Sequence, residues 1–208
     1  MAIVRPLLAC GVAASASWVA ADLVAGTSWS GYDFIHQSVS ELLAIGSPTR
    51  GLFLPFDIAH GLLLIAFASG VWASAQPGRG VRVAAGCIAA SAGFGLAANL
   101  VPMRIGVPAA ENTGGVVVGA LSVGCSVAAM VAGAVGFRGR LRTWSAATIL
   151  AFVALTPLGL VVAQNHPATG AQERTMAYAY LLWVVLLAVA LWQSPEVAPK
   201  AEHETPPV

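Results

Sequence analysis

The sequence predicts an all-α fold, a six-helix transmembrane bundle with both termini on the inner side. Three observations carry that expectation. First, of 208 residues 58% are hydrophobic and only 9% are charged, with a mean hydropathy of +0.80. A soluble domain carries about 25% charged residues. Ten Lys and Arg with nine Asp and Glu cannot clothe a soluble surface. This excludes an ordinary soluble enzyme, a nucleic-acid binder and a disordered chain, and the formal net charge of +1 implies no acidic partner. Second, six apolar segments reach the roughly 20 residues that a spanning helix needs. Third, the cations gather on one set of connections.

The expected spans are 4–26, 51–75, 82–103, 113–137, 144–164 and 175–193. Arg5 ahead of an apolar run could signal secretion, but the run extends to Val24, past any cleavable apolar region, so it reads as an uncleaved first helix. Short polar connections join the spans, except for the longer segment 27–50. Gly115 with Gly119, and Ser91 with Gly95, are small-residue pairs that let helix backbones approach; they read as packing within the bundle rather than as a dimer seam. Cys10, Cys87 and Cys125 fall in apolar runs without metal or disulfide spacing. The tail, 194–208, is rich in proline and mixed in charge, and is expected to be a disordered cytoplasmic end.

With the N-terminus inside, the inner connections and ends carry Arg5, Arg79, Arg82, Arg138, Arg140, Arg142 and Lys200. The outer ones carry Arg50, Arg104 and Arg174. That bias orients the bundle. The polar groups of the spans then lie toward the outer side: Asp22, Asp57, His60, Asn99, Glu111, Asn112, Gln164, Glu173 and Arg174. An ionisable group in hydrocarbon costs about 2.5–3.5 kcal/mol on the lenient insertion scale, so such groups face a bundle interior or a wet cavity. The expected arrangement is a polar pocket open to the outside and closed below by an apolar plug. A proton pump or ion channel needs polar stations through the full thickness, and the inner half has none that titrates.

Asp57 and His60 stand three apart and share a helix face, roughly 9 and 13 Å below the start of the second span. The carboxylate could orient or charge the imidazole, or the histidine could simply bond a neighbouring carbonyl. In 27–50, Ser38-Val39-Ser40-Glu41 has capping-box spacing for a short helix. The apolar residues around it suit a lid lying in the interface or folded over the bundle. Asp33, His36, Ser40 and Glu41 would then join the pocket. No nucleophile-elbow spacing supports a Ser/His/Asp trio. His36, Asp57, His60 and His166 could supply metal ligands, but no HExxH or close His pair occurs, so no metal or other cofactor is expected. Arg174, beside Glu173 at the start of the last span, needs a carboxylate from another element, with Glu41, Asp57 and Glu111 as the candidates, unless it snorkels to the interface.

Gly31-Tyr32-Asp33 followed by Gln37-Ser38-Val39-Ser40-Glu41-Leu42 resembles the first-loop pattern of domain-of-unknown-function family 998 (DUF 998). Val101-Pro102-Met103 after the third span, and Gly170-Ala171-Gln172-Glu173-Arg174 before the sixth with Trp183 inside it, are similar to its later patterns. Ser-x-Ser-Glu-Leu is the most specific element. Met103-Arg104 stands where the pattern has an acidic residue nearby. The resemblance covers nearly the whole chain and implies a six-span, mostly prokaryotic membrane protein with no assigned reaction.

Two functions remain in view. One is a non-enzymatic protein of the cell membrane whose outer pocket, with His36, Ser40, Glu41, Asp57, His60, Glu173 and Arg174 as candidates, binds a small molecule, a lipid headgroup or a membrane partner. The other is a lipid-acting, hydrolase-like enzyme using Asp57/His60 and Ser40/Glu41. A transporter would call for repeat symmetry and broken helices. Membrane lipids are the expected surroundings, and nucleic acid is not an expected partner.

Overall fold

The computed structural model describes residues 3–74, 78–107, 111–137, 139–162 and 169–193. The expected tail therefore lies outside the described residues. Within them the chain is all-helical: α1 (Val4–Ser28), α2 (Val39–Leu43), α3 (Arg50–Ser74), α4 (Arg79–Ala98), α5 (Thr113–Gly136), α6 (Arg140–Val162) and α7 (Thr169–Trp192). By length and composition α1, α3, α4, α5 and α7 can each cross a membrane, and α6 contains the apolar stretch Leu141–Ala154. Long side chains such as Leu62, Trp72, Val135, Leu150 and Leu182 point outward and are exposed. A soluble monomer does not carry so continuous an apolar surface; lipid solvates it. The chain is a multi-pass membrane protein.

The six long helices form a closed ring in chain order, α1–α3–α4–α5–α6–α7, with α7 returning to α1. Neighbours run antiparallel. The start of α1 meets the end of α7, where Arg5 lies over the Trp192 ring at 5.5 Å. The end of α1 meets the start of α7, where Arg174 pairs with Asp22. The two ends of the chain's helical part therefore lie at one end of the bundle.

Hydrocarbon surroundings give little hydrophobic drive between helices, so close packing and internal hydrogen bonds hold the ring. At one end, a Cβ on Gly80 of α4 would lie 2.6 Å from the Gly136 Cα of α5, so these two backbones touch directly. Along the same pair of helices, Ser91 and Ser126 share a hydrogen bond at 2.7 Å, and the Ser122 hydroxyl donates to the Ser91 carbonyl at 2.9 Å. Gly115 packs instead on the 101–103 segment, and Gly119 meets nothing within 4 Å. Phe67, Val71, Ile88, Met130, Trp183 and Leu187 form a buried core through the middle and the Arg5 end. Trp183 also donates to the Ser145 hydroxyl at 2.8 Å.

Two helix boundaries differ from the sequence expectation by five residues or more. α4 stops at Ala98 rather than near 103, because Pro102 disfavours helix in the residue before it and because the chain here turns to pair with the lid. Ile45 donates to Met103 O at 2.8 Å, and Ile105 donates to Ile45 O at 3.1 Å. α7 starts at Thr169 rather than near 175, because its first turn is held by the lid: Ala171 N donates to Ile35 O at 3.0 Å. Gly170 makes that approach possible, since a Cβ there would sit 2.0 Å from the Gln37 carbonyl oxygen.

The lid contains α2. Ser38 is its N-cap, and the capping box with Glu41 is formed in both directions. Val39 and Leu42 bury against Ala21, Ala25 and Phe53, so the segment folds onto the bundle.

Candidate functional site

Two polar assemblies sit at the lid end. The first is built around Arg174, whose side chain is 8% exposed, and Asp22, which is fully buried. Arg174 Nε and Nη2 donate to the two oxygens of Asp22 at 2.9 and 2.8 Å. Nη2 also donates to the Tyr32 hydroxyl at 2.6 Å, and Nη1 donates to the carbonyls of Phe34 and Gln37 at 2.9 and 3.0 Å. All five N–H groups of the guanidinium are thereby used. The Tyr178 hydroxyl gives Asp22 a third bond at 2.6 Å. The cation lies over the rings of Phe34 and Tyr32 at 4.8 and 5.4 Å, a favourable geometry for a desolvated charge. Tyr32 in turn donates to the Ser38 carbonyl at 2.7 Å. Burial pushes the Tyr32 phenol up to about 12, against the opposing pull of Arg174. This assembly is a clamp that ties α1, the lid and α7 together.

The clamp revises the expected partner of Arg174. Its carboxylate is Asp22, not Glu41, Asp57 or Glu111. Glu41 is occupied by the capping box and by Gln37, whose Nε2 donates to it at 2.9 Å. Asp57 accepts from Asn99 Nδ2 at 2.7 Å. Asp22 could have been found from the closing contact of first and last helix, but that contact is not written in either segment. Tyr178 carries a local signal: it stands four residues after Arg174, on the same face of α7.

The second assembly is a cavity of about 260 Å³ inside the ring. Every long helix lines it: Trp18 from α1; Asp57, His60 and Leu64 from α3; Ser91 and Ala92 from α4; Ser122 and Ser126 from α5; Phe152 from α6; Glu173, Met176 and Tyr180 from α7. Its lid end is acidic and its walls are otherwise aromatic, aliphatic or hydroxylic. The apolar core formed by Phe67, Ile88, Met130 and Trp183 continues beyond it toward the Arg5 end.

The sequence candidates divide between these places. Asp57, His60 and Glu173 share the cavity. Ser40 touches it indirectly: its hydroxyl donates to Glu173 Oε1 at 2.8 Å, while Val39 N donates to Oε2 at 3.0 Å. Glu173 thus lines the cavity and holds the first turn of α2. His36 is half exposed and bonds Asp33 at 2.6 Å. That contact, with the backbone N–H groups of Ile35 and His36, holds the Asp33 carboxyl below its ordinary range. Glu41 and Arg174 serve the lid and the clamp. His60 does not bond Asp57; its Nδ1 donates to the Ala14 carbonyl at 2.9 Å. Ser40, His60 and Asp57 therefore make no proton relay with one another. Among the described residues no three His, Cys, Asp or Glu side chains are grouped to hold a metal, and His166, Asn165 and Gln164 lie outside the described residues. In the sequence Ser91 has the spacing of a packing residue, and nothing there marks Trp18, Ser122, Ser126 or Tyr180. Such residues look like ordinary lipid-facing or packing positions until the ring closes around them.

No curated protein and no solved structure matches the chain. A family model described as "Protein of unknown function (DUF998)" matches residues 12–190, a stretch that takes in the clamp, the lid and every residue lining the cavity. The lid segment and the Glu173-Arg174 pair that receives it both fall within the matched stretch, which covers most of the chain: this chain belongs to the DUF998 family.

Proposed function

We propose that this membrane protein binds a small molecule or a lipid headgroup in the central cavity. The observation that carries the reading is the placement of two carboxylates, Asp57 and Glu173, and one imidazole, His60, on the wall of a single cavity between helices long and apolar enough to span a membrane. Ionisable groups in such helices are costly and mark a working site by default. The Arg174–Asp22 clamp joins lid and bundle and Glu173 adds a tie to α2, whereas Asp57 and His60 bond within the bundle, to Asn99 and to the Ala14 carbonyl. The cavity's mixed wall of apolar and hydrogen-bonding groups suits an amphipathic ligand. The lid end faces the outside of the cell membrane in this reading, because the opposite end carries Arg5, Arg79, Arg82 and Arg142.

The test is ligand retention. The protein is extracted from membranes and analysed by native mass spectrometry, beside an Ala92→Phe variant that fills the cavity. A retained small molecule or lipid should be lost from the filled variant. Equal retention in both would remove the cavity from the account. The orientation is tested in a cysteine-free background by placing cysteines at positions 36 and 140, which should label from opposite sides of the membrane.

A further inference from the structure

Resting on that pocket reading, we infer that the ligand is a small organic cation, its ammonium group beside Asp57 and Glu173 and its apolar body against Trp18, Phe152 and Leu64. The inference rests on unbalanced hydrogen-bonding capacity. An ionised carboxylate only accepts. Asp57 and Glu173 both face the cavity, and the bonds they receive come from neutral donors: the Asn99 amide for one, Val39 N–H and the Ser40 hydroxyl for the other. Behind the cavity wall, the Oδ1 of the Asn99 amide that donates to Asp57 is buried with no hydrogen-bond partner, so it supplies Asp57 with no further donor. His60, with its Nδ1 proton on the Ala14 carbonyl, presents Nε2 as a further acceptor. Tyr180 also lines the cavity, with its hydroxyl beside Ser91 and Ser126; a phenol can donate as well as accept, so it adds nothing to the acceptor count.

The cavity thus holds a surplus of acceptors. The cation nearest in sequence cannot balance it, because the five N–H groups of Arg174 are committed to Asp22, Tyr32, Phe34 and Gln37. Among the described residues no Lys or Arg lines the cavity. A protonated amine supplies both missing quantities, positive charge and N–H donors. The rings of Trp18, Phe152 and Tyr180 favour an organic cation over a hydrated inorganic one. A volume of about 260 Å³ lies just under the usual range for small-molecule pockets, so the apolar body is about one ring in size. An anion would meet two carboxylates of its own sign.

The test uses the full chain in phosphatidylcholine nanodiscs with four probes: phenethylamine, protonated at neutral pH; 2-phenylethanol; phenylacetate; and sodium chloride. Thermal unfolding and tryptophan fluorescence report binding. Phenethylamine should raise the unfolding midpoint in a dose-dependent, saturating way, and the other three should not. Asp57→Asn should weaken amine binding about tenfold or more, the loss of one charge-assisted hydrogen bond. Glu173→Gln should do the same, but it also loosens α2, so Asp57→Asn is the deciding variant. Equal stabilisation by sodium at the same ionic strength overturns the inference, as does undiminished amine binding by Asp57→Asn. If phenylacetate or phenylethanol binds as well as the amine, and Ala92→Phe abolishes that binding, the cation class falls while the pocket stands. If no probe binds and Ala92→Phe changes neither retention nor unfolding, the pocket reading falls with it.

Discussion

Replacing Asp22 by Asn leaves the Arg174 guanidinium buried without its counter-charge. The structure sets the scale of the loss. Asp22 is fully buried and accepts three hydrogen bonds, two of them a bidentate pair from Arg174. Breaking a buried ion pair by removing one partner costs about 3–5 kcal/mol, most of it the price of the orphaned charge. Arg174→Met should cost a similar amount, since it strands Asp22 and also frees the carbonyls of Phe34 and Gln37. The double variant leaves no orphaned charge. Its loss should therefore fall short of the sum of the single losses by roughly 2–3 kcal/mol, the upper part of the range for residues in contact. Equilibrium unfolding in bicelles measures all four corners of the cycle. Protease accessibility of 29–37 reports the lid separately, and it should rise in Arg174→Met more than in Asp22→Asn. Additivity within about 0.5 kcal/mol would refute the reasoning: the pair would then be a crossing of two separately solvated groups.

Three further outcomes follow from the lid. Gly170→Ala should destabilise by about 1–3 kcal/mol and expose 29–37 to protease, because the new Cβ collides with the Gln37 carbonyl; Gly119→Ala, with open space around it, is the control and should be neutral or slightly stabilising. Asp33 has its folded pKa lowered by His36 and by the Ile35 and His36 amides, so its contribution to loop order is present above the ordinary aspartate value and is lost as pH falls through the lowered one. Hydrogen exchange at 33–37 should show that acid-side loss in the wild type, and Asp33→Asn should show none; the same loss in the variant would sink the assignment. Tyr32, raised to about 12, contributes fully below the ordinary tyrosine value of about 10 and loses its contribution as pH rises through the folded value. The tyrosinate absorbance difference between wild type and Tyr32→Phe should titrate near 12, and a midpoint near 10 would mean that the phenol is solvated.

Much of the local structure was readable in the residues. The α2 capping box needed only Ser38 and Glu41 at the right spacing, because both hydrogen bonds close within four residues. Helix ends were less legible where a distant segment decides them: the pairing of Ile45 with Met103 draws the chain out of α4. The cavity was legible in part. Asp57, His60 and Glu173 announce themselves as ionisable groups in apolar spans. Trp18, Phe152 and Tyr180 do not, since an aromatic residue in a membrane helix is ordinary and only its neighbours make it a cavity wall.

The sequence by itself determined the class of protein, the approximate spans and the lid helix, and left Arg174 between a carboxylate partner and the interface. Each of these depends on composition or on contacts within a turn or two, where hydrocarbon solvation and capping geometry leave little choice. The tertiary structure decided which carboxylate answers Arg174. Asp22 lies 152 positions away in the chain, and it reaches Arg174 because the ring closes with α1 beside α7. Hydrocarbon demands that a buried charge be paired, but it is indifferent to which opposite charge does the pairing. Helix packing made that choice, and in making it left Asp57 and Glu173 on the cavity wall with no cation of their own among the described residues.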